Sequence, residues 1–435
     1  MRLARRAFLV SSMASLAAPA VIRLARADAP QVTLKLHHSF SAVSGVHDKF
    51  LAPWVRQVRA QSDGRIRIDI FPSMQLGGGP AQLFDQARDG VADIVWAAPS
   101  DTPGRFSRIE LFELPFVPSR RALVSSRAIE DYARGHLLDE FREVYPICFS
   151  CSDRGAVHSH RPIRTVEDVD GLRLHVETRL AGEAIRALGA YAIPMPSGQL
   201  PLAIAQHVVD GCIDPWDVVP TLRLNDLLRA HTDFAESSLS MTTFVLAMNK
   251  AAYERLPRDL KAIIDRNSGQ VAAGMAGSMW DLQAAAVADM VSERGDPITT
   301  LQPEAVAHWR KATAPVIETW LKQMKERKID GGKLLAGARA LLAKYANEPE
   351  PQPPQPVQPT QPQPPAEAKA EINPAARAGS RSAAPTSPVT NHAPAPAAKA
   401  AAAPTPPAPA TASAAPVVKP VPARPSPPKT LDIPL

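Results

Sequence analysis

Cysteine, aromatic residues and long apolar runs are all scarce in this 435-residue chain, and each shortage removes a class of protein. Three cysteines, Cys148, Cys151 and Cys212, are too few for a disulfide-stapled scaffold, and no second pair at ligand spacing exists for a zinc finger. An odd number in an exported protein also leaves at least one thiol without an internal partner. Cys148 and Cys151 have C-x-x-C spacing, but residues 145–151 read as a strand. Residues three apart on a strand point to opposite faces, so two buried thiols are expected rather than a redox pair or half a metal site. No uninterrupted apolar run reaches the ~20 residues of a membrane-spanning helix. Aromatics make up 5% of the chain and none follows residue 348, whereas 25 of the 45 prolines do. Such a segment cannot bury enough apolar surface to offset its ordering entropy. Residues 349–435 are therefore expected to be a disordered Pro/Ala-rich tail inclined to polyproline II, either a passive extension or a ligand for an envelope partner.

Signatures of catalysis are missing too. There is no Gly-x-Ser-x-Gly elbow, H-E-x-x-H pair, P-loop or G-x-G-x-x-G fingerprint. The net charge of +6 invites a nucleic-acid reading, but it is unevenly placed. Residues 1–27 carry five arginines and no acid, and the stretch from Pro349 carries seven basic and four acidic residues, leaving about −2 for the part between. No nucleic-acid partner is expected. Arg5-Arg6 with Phe8-Leu9, a modest apolar stretch and Ala25-Arg26-Ala27 read as a signal peptide cleaved after Ala27. The paired arginines suggest the twin-arginine route, against an ordinary Sec signal. A periplasmic protein is expected.

What is present is alternation. Val32 to Leu36 reads as a strand, and 48–61 as a helix with Phe50, Leu51, Trp54, Val55 and Val58 on one stripe. Residues 65–71 form a second strand, Gly77-Gly78-Gly79-Pro80 a tight turn opening a helix, and 93–97 a third strand. This β-α-β-α-β order predicts a parallel sheet with helices on both faces. A second run follows: strand 171–176, helix 180–188, strand 190–194, a helix from a Ser197 cap to Val209, and strands at 212–215 and 243–248. After Pro257 the periodicity is almost entirely helical. Two α/β lobes followed by packing helices suit a hinged binding protein, and also suit a two-domain α/β enzyme.

Ligands of open α/β sheets gather at the C-terminal ends of strands. His37, His38 and His47 lie there, and His38 is taken as the cleft-facing one; as neighbours, His37 and His38 diverge, so no metal or other cofactor is expected. The triple glycine lacks the Lys-Ser/Thr of a phosphate loop. Arg105, after the third strand, either reaches the cleft or packs its own loop. Trp96 and Trp216 end strands in the two lobes. A core role competes with a cleft role for Trp96, while Trp216, between Pro215 and Asp217, is taken as a cleft wall.

Five ordered segments carry a resemblance. They are Pro72-Ser73-Met74-Gln75-Leu76-Gly77-Gly78 with Gly90-Val91-Ala92-Asp93; Gly171-Leu172-Arg173-Leu174-His175-Val176 through Leu188-Gly189-Ala190; Val208-Val209-Asp210-Gly211; Asp214-Pro215-Trp216-Asp217-Val218-Val219-Pro220; and Phe244-Val245-Leu246-Ala247-Met248-Asn249-Lys250. From about Val32 to Ile329 the chain resembles the DctP-type solute-binding proteins of TRAP (tripartite ATP-independent periplasmic) transporters. The resemblance implies a receptor rather than an enzyme. It would hold a small organic acid between two lobes and deliver it to TRAP membrane permease subunits. It also implies that an Arg in the second-lobe strand pairs with the ligand carboxylate.

Here that position is His175, and a turn that often carries Asn has Asp214. Either Arg173, Arg179 or Arg154 supplies the missing charge, or Asp214 points away, or the ligand is not a simple carboxylate. Arg179, at the start of a helix, either reaches the cleft or pairs with Asp217. The expected organisation is signal 1–27, lobe I over 28–152 with part of 240–346 returning to it, lobe II over 153–239, a late strand and long helices over 240–348, and the tail. A rival reading makes the chain a ligand sensor or an envelope interaction module acting through the tail.

Overall fold

The computed structural model describes residues 29–348. The signal, its cleavage site and the Pro-rich tail lie outside the described residues. Strand β1 (Val32–His38), helix α1 (Ala52–Gln61), β2 (Ile66–Phe71), α2 (Leu83–Asp89) and β3 (Ile94–Ala97) realise the first β-α-β-α-β run, with β1 parallel to both β2 and β3. The anticipated stripe on α1 is buried at Phe50, Leu51, Trp54 and Val58, although its first turn, Val46–Leu51, is π-helical rather than α. Gly77 and Gly78 take positive φ, and from the helical turns that follow Gln86 donates to Gly77 O and Gln82 accepts from Gly79 N. After α3 (Ala122–His136) comes β4 (Val144–Cys151), in which Cys148 and Cys151 pack into two different clusters on opposite faces. All three cysteines are buried free thiols.

A second sheet follows: β5 (Gly155–Ser159), β6 (Arg173–Val176), α4 (Arg179–Ala187), β7 (Tyr191–Pro194), α5 (Leu200–Ala205), β8 (Gly211–Pro215), α6 (Val218–Thr221) and β9 (Ala230–Phe234). The helix expected from Ser197 to Val209 is shorter. It opens with a 3-10 turn whose Ser197 caps nothing, and it ends at Ala205 before His207 turns left-handed at φ 53°. Gly211 is required where β8 meets β5, since a Cβ there would lie 2.3 Å from His158 O. Sequence reading missed β5 and β9. All five residues of each are buried, so neither alternates, and both carry histidines that read as polar.

The chain then returns through β10 (Thr243–Asn249), α7 (Lys250–Glu254), α8 (Arg258–Arg266), α9 (Gln270–Glu293), β11 (Ile298–Leu301), α10 (Pro303–Glu326) and α11 (Gly331–Ala346). The sheets run β2-β1-β3-β10-β4 and β11-β9-β5-β8-β6-β7. β10 enters the first sheet antiparallel, so that sheet is mixed rather than all parallel, and β11 is a strand in the stretch that reads as helical. The result is a two-lobe α/β fold.

Helix α9 spans both lobes. Ala272, Ala273, Ala276, Met279 and Trp280 bury into the first, and Ala284, Val287 and Val291 pack with Trp216 and Val219 in the second. A Cβ on Gly277 would come within 2.6 Å of Leu123 Cα, so only glycine lets α9 lie against the start of α3. There Asp281 accepts the N–H groups of Ala122 (2.7 Å) and Leu123 (3.0 Å), satisfying donors that a helix N-terminus leaves open. The two strand-linking crossings are tied to each other: Ser152 N donates to Thr242 O at 2.8 Å, and Thr242 N to Ser152 Oγ at 3.0 Å.

Candidate functional site

Between the lobes lies a cavity of about 530 Å³, within the ~300–1,000 Å³ typical of small-molecule sites. The first lobe supplies Ser39, Phe40, Ser41 and Ser44 after β1, then Trp96, Ser100 and Asp101 around the end of β3. The second supplies Glu177 after β6, Met195–Gly198 after β7, and Pro215, Asp217, Val218 and Thr221 after β8. Ser152 and Thr242 come from the crossings, Phe244 from β10 and Trp280 from α9. Apart from Trp280 in α9, most of the lining thus gathers at or just beyond strand ends and at the crossings.

One wall is a stack of aromatic rings. Trp96 and Phe244 lie 5.0 Å apart at 12°, Phe244 and Trp280 6.1 Å apart at 18°, and Phe40 meets Phe244 edge-on at 5.9 Å. The antiparallel pairing of β3 with β10, with Trp96 opposite Leu246, brings Phe244 beside Trp96. The indole Nε1 groups of Trp96 and Trp280, and Ser41 Oγ, are buried without a hydrogen-bond partner.

The facing wall is acidic. Glu177 is accessible from within the cavity while protein surrounds it; its carboxylate accepts from Ser197 Oγ (3.2 Å) and Thr242 Oγ1 (3.1 Å). Burial, and then the charge of Asp214, push Glu177 up to about 7 against the pull of His175. Asp217 is 6% exposed; burial, then Glu177 and Asp214, raise it to about 7. Burial raises Asp101 to about 6. Among the described residues, no Arg, Lys or His lines the cavity.

Of the residues singled out by sequence, Trp96 lines the cavity. His38 lies behind it, sharing a hydrogen bond with His47 (3.0 Å), and burial and the neighbouring histidines push it down to about 3; the adjacent Ser39 does the lining. His175 and Asp214 are joined one layer beneath the cavity (Nδ1 to Oδ2, 2.9 Å), and His175 Nε2–H donates to Met195 O at 3.0 Å. Burial works against charge on this ring, but Asp214 outweighs it and lifts His175 to about 9.

The arginines are engaged elsewhere. Arg179 bonds Glu110 (2.6 Å) and Glu183 (2.5 Å) rather than Asp217. Arg105 bridges Asp85 and Glu143 while lying over Phe84. Arg154 holds Asp233 through Nε (2.7 Å) and lies over Trp216, and Arg173 is clamped by Asp210. Trp216 is fully buried under α9, while its neighbours Pro215 and Asp217 reach the cavity.

Sequence reasoning overlooked Phe244, Trp280, Glu177 and the serines as lining residues. Two signals were available: Glu177 lies two residues past His175, on the same side if the strand alternation continues, and Trp280 is the one large ring in an Ala-rich helix. Among the described residues, no group of three His, Cys, Asp or Glu is placed to hold a metal ion. No described helix is long and apolar enough to cross a membrane.

The model of the bacterial extracellular solute-binding proteins, family 7 (DctP), matches residues 36–323. A crystal structure of a TRAP solute-binding protein from Rhodoferax ferrireducens T118, in complex with copurified benzoate, is 38% identical with a TM-score of 0.70 over 72% of this chain and 98% of that one. A marine metagenome TRAP solute-binding protein specific for aromatic acid ligands, holding 3-hydroxybenzoate, is 34% identical with a TM-score of 0.70 over 73% and 99%. An uncharacterized protein of Sinorhizobium fredii, y4mM, is 26% identical over 324 residues; the match takes in 72% of this chain and only 57% of that relative's length.

Proposed function

The chain belongs to family 7 of the bacterial extracellular solute-binding proteins, which are receptors and not enzymes, and on that footing we propose that its inter-lobe cavity captures a small aromatic organic acid for a TRAP-type membrane permease. The observation that carries the reading is the Trp96–Phe244–Trp280 stack, a rigid aromatic wall against which a single ring can pack. The benzoate and 3-hydroxybenzoate bound by the two similar proteins support the same ligand class. In this reading Trp96 touches the ligand. His175 and Asp214 act one layer back, holding Met195 and setting the field at Glu177, while Arg179, Arg105, Arg154, Trp216 and His38 hold the lobes that frame the cavity. The leader at 1–27 would deliver the protein to the periplasm, and hinge closure at the two crossings would enclose the ligand.

Thermal melting against a panel of benzoate, 3-hydroxybenzoate and mandelate tests this. A rise in Tm with at least one aromatic acid is expected, weakened about tenfold or more in apparent affinity by Trp280→Ala. No shift with any aromatic acid would refute the assignment.

A further inference from the structure

An aromatic acid entering this cavity meets an electrostatic problem. It brings a negative charge to a cavity that already carries Asp101, Glu177 and Asp217 and that no Arg, Lys or His lines among the described residues. Two like charges ~4 Å apart repel by about 4 kcal/mol at the effective dielectric of a protein surface, and by more once water is expelled. The charges facing the acidic pair do not relieve it. Glu177 faces Asp214 and His175, which already pair with each other, and the hydroxyls of Ser197 and Thr242. Asp217 faces Glu177, Asp214 and, behind it, Asp153, whose Oδ2 is taken by Trp216 N. Arg154 beside Asp153 is held by Asp233.

A cationic ligand would suit the carboxyls and the aromatic faces alike, and it would need no added proton, so benzylammonium is the rival that the test includes. A carboxylate can accept from the hydroxyls of Ser39, Ser41 and Ser44 but meets the carboxyls only once one proton is added.

We propose that the cavity takes its organic acid together with one proton, the ligand carboxylate sharing it with a carboxyl of the Glu177–Asp217 pair in place of the fixed cation that such a site would otherwise need. This rests on the reading of the ligand as an organic acid. The proton comes from solvent, one O–H···O⁻ bond forms between side chain and ligand, and no other bond changes; such charge-assisted bonds are short and strong. Burial and the negative charge of Asp214, joined at Asp217 by that of Glu177, hold both carboxyls near the protonation state this needs at neutral pH.

Isothermal titration calorimetry of the full chain with sodium benzoate, neutral benzamide and benzylammonium chloride, from about pH 6 to about pH 8 in phosphate and in Tris, tests the coupling. Benzoate affinity should fall by up to about tenfold per pH unit toward the alkaline end, with uptake approaching one proton per ligand in the buffer comparison. Glu177→Gln or Asp217→Asn, each imitating the protonated side chain, should flatten that slope and tighten benzoate binding at the alkaline end. Two variants are used so that one misfolded protein, identified by its melt, does not decide the result. A flat benzoate profile without proton uptake overturns the proposal while leaving the organic-acid reading intact, and so does benzylammonium binding that strengthens as pH rises. Failure of every aromatic acid at every pH instead removes the parent reading, and this one with it.

Discussion

Replacing His175 by Gln isolates the charge pair beneath the cavity. His175 and Asp214 are 0% and 1% exposed, so the pair is shielded from solvent screening. The imidazole titrates at about 9 in the fold against 6.5 unfolded, a difference of about 2.5 pH units and hence about 3 kcal/mol. Because the folded value is raised, this stabilisation is complete below the unfolded value and is lost as pH rises through about 9. The Gln variant can donate one hydrogen bond but carries no charge. It should therefore be less stable than the native protein by several kcal/mol near pH 6, counting the cost of leaving Asp214 without its counter-ion. The gap should narrow by about 3 kcal/mol at about pH 10. Urea unfolding of both proteins across that range measures the difference, and subtracting one curve from the other cancels groups common to both. A gap that stays constant with pH would show that His175 is neutral in the fold and that the pairing with Asp214 is an ordinary hydrogen bond.

Two further outcomes follow from the packing. Gly277→Ala should destabilise the protein by about 1–3 kcal/mol in denaturant unfolding, because the new methyl collides with backbone at Leu123 that cannot step aside. Burial raises the thiols of Cys148, Cys151 and Cys212 well above their ordinary range, so a thiol reagent should label none of them in the native state and all three in urea.

The alternation of β1, β2 and β3 with α1 and α2 was legible because each strand carries branched apolar residues and the first helix a single apolar stripe. β5 and β9 were not, since His158, Ser159, His231, Thr232 and Asp233 read as polar although the fold buries them, and β11 is a four-residue strand at a sheet edge. The cavity was legible only in part. That a site would form at strand ends follows from topology, and Trp96 at the end of β3 was visible for that reason. Which arginines remain available depends on partners far away in sequence: Arg105 meets Glu143, Arg154 meets Asp233, and Arg179 meets Glu110. No local pattern announces these pairings. Asp217 was read only as an ion-pair partner for Arg179, and Glu177 lies just past the end of the strand motif that drew attention to His175.

Helix α9 is gripped by one lobe along its first half and by the other along its second, and Trp280 stands just before the changeover, with Leu282 facing outward at 73% exposure. A rod clamped at both ends leaves the two bodies only rolling or flexing as ways to part. Whatever tilts them also shifts an indole that lines the cavity, so the wall and the gape are set by the same piece of backbone.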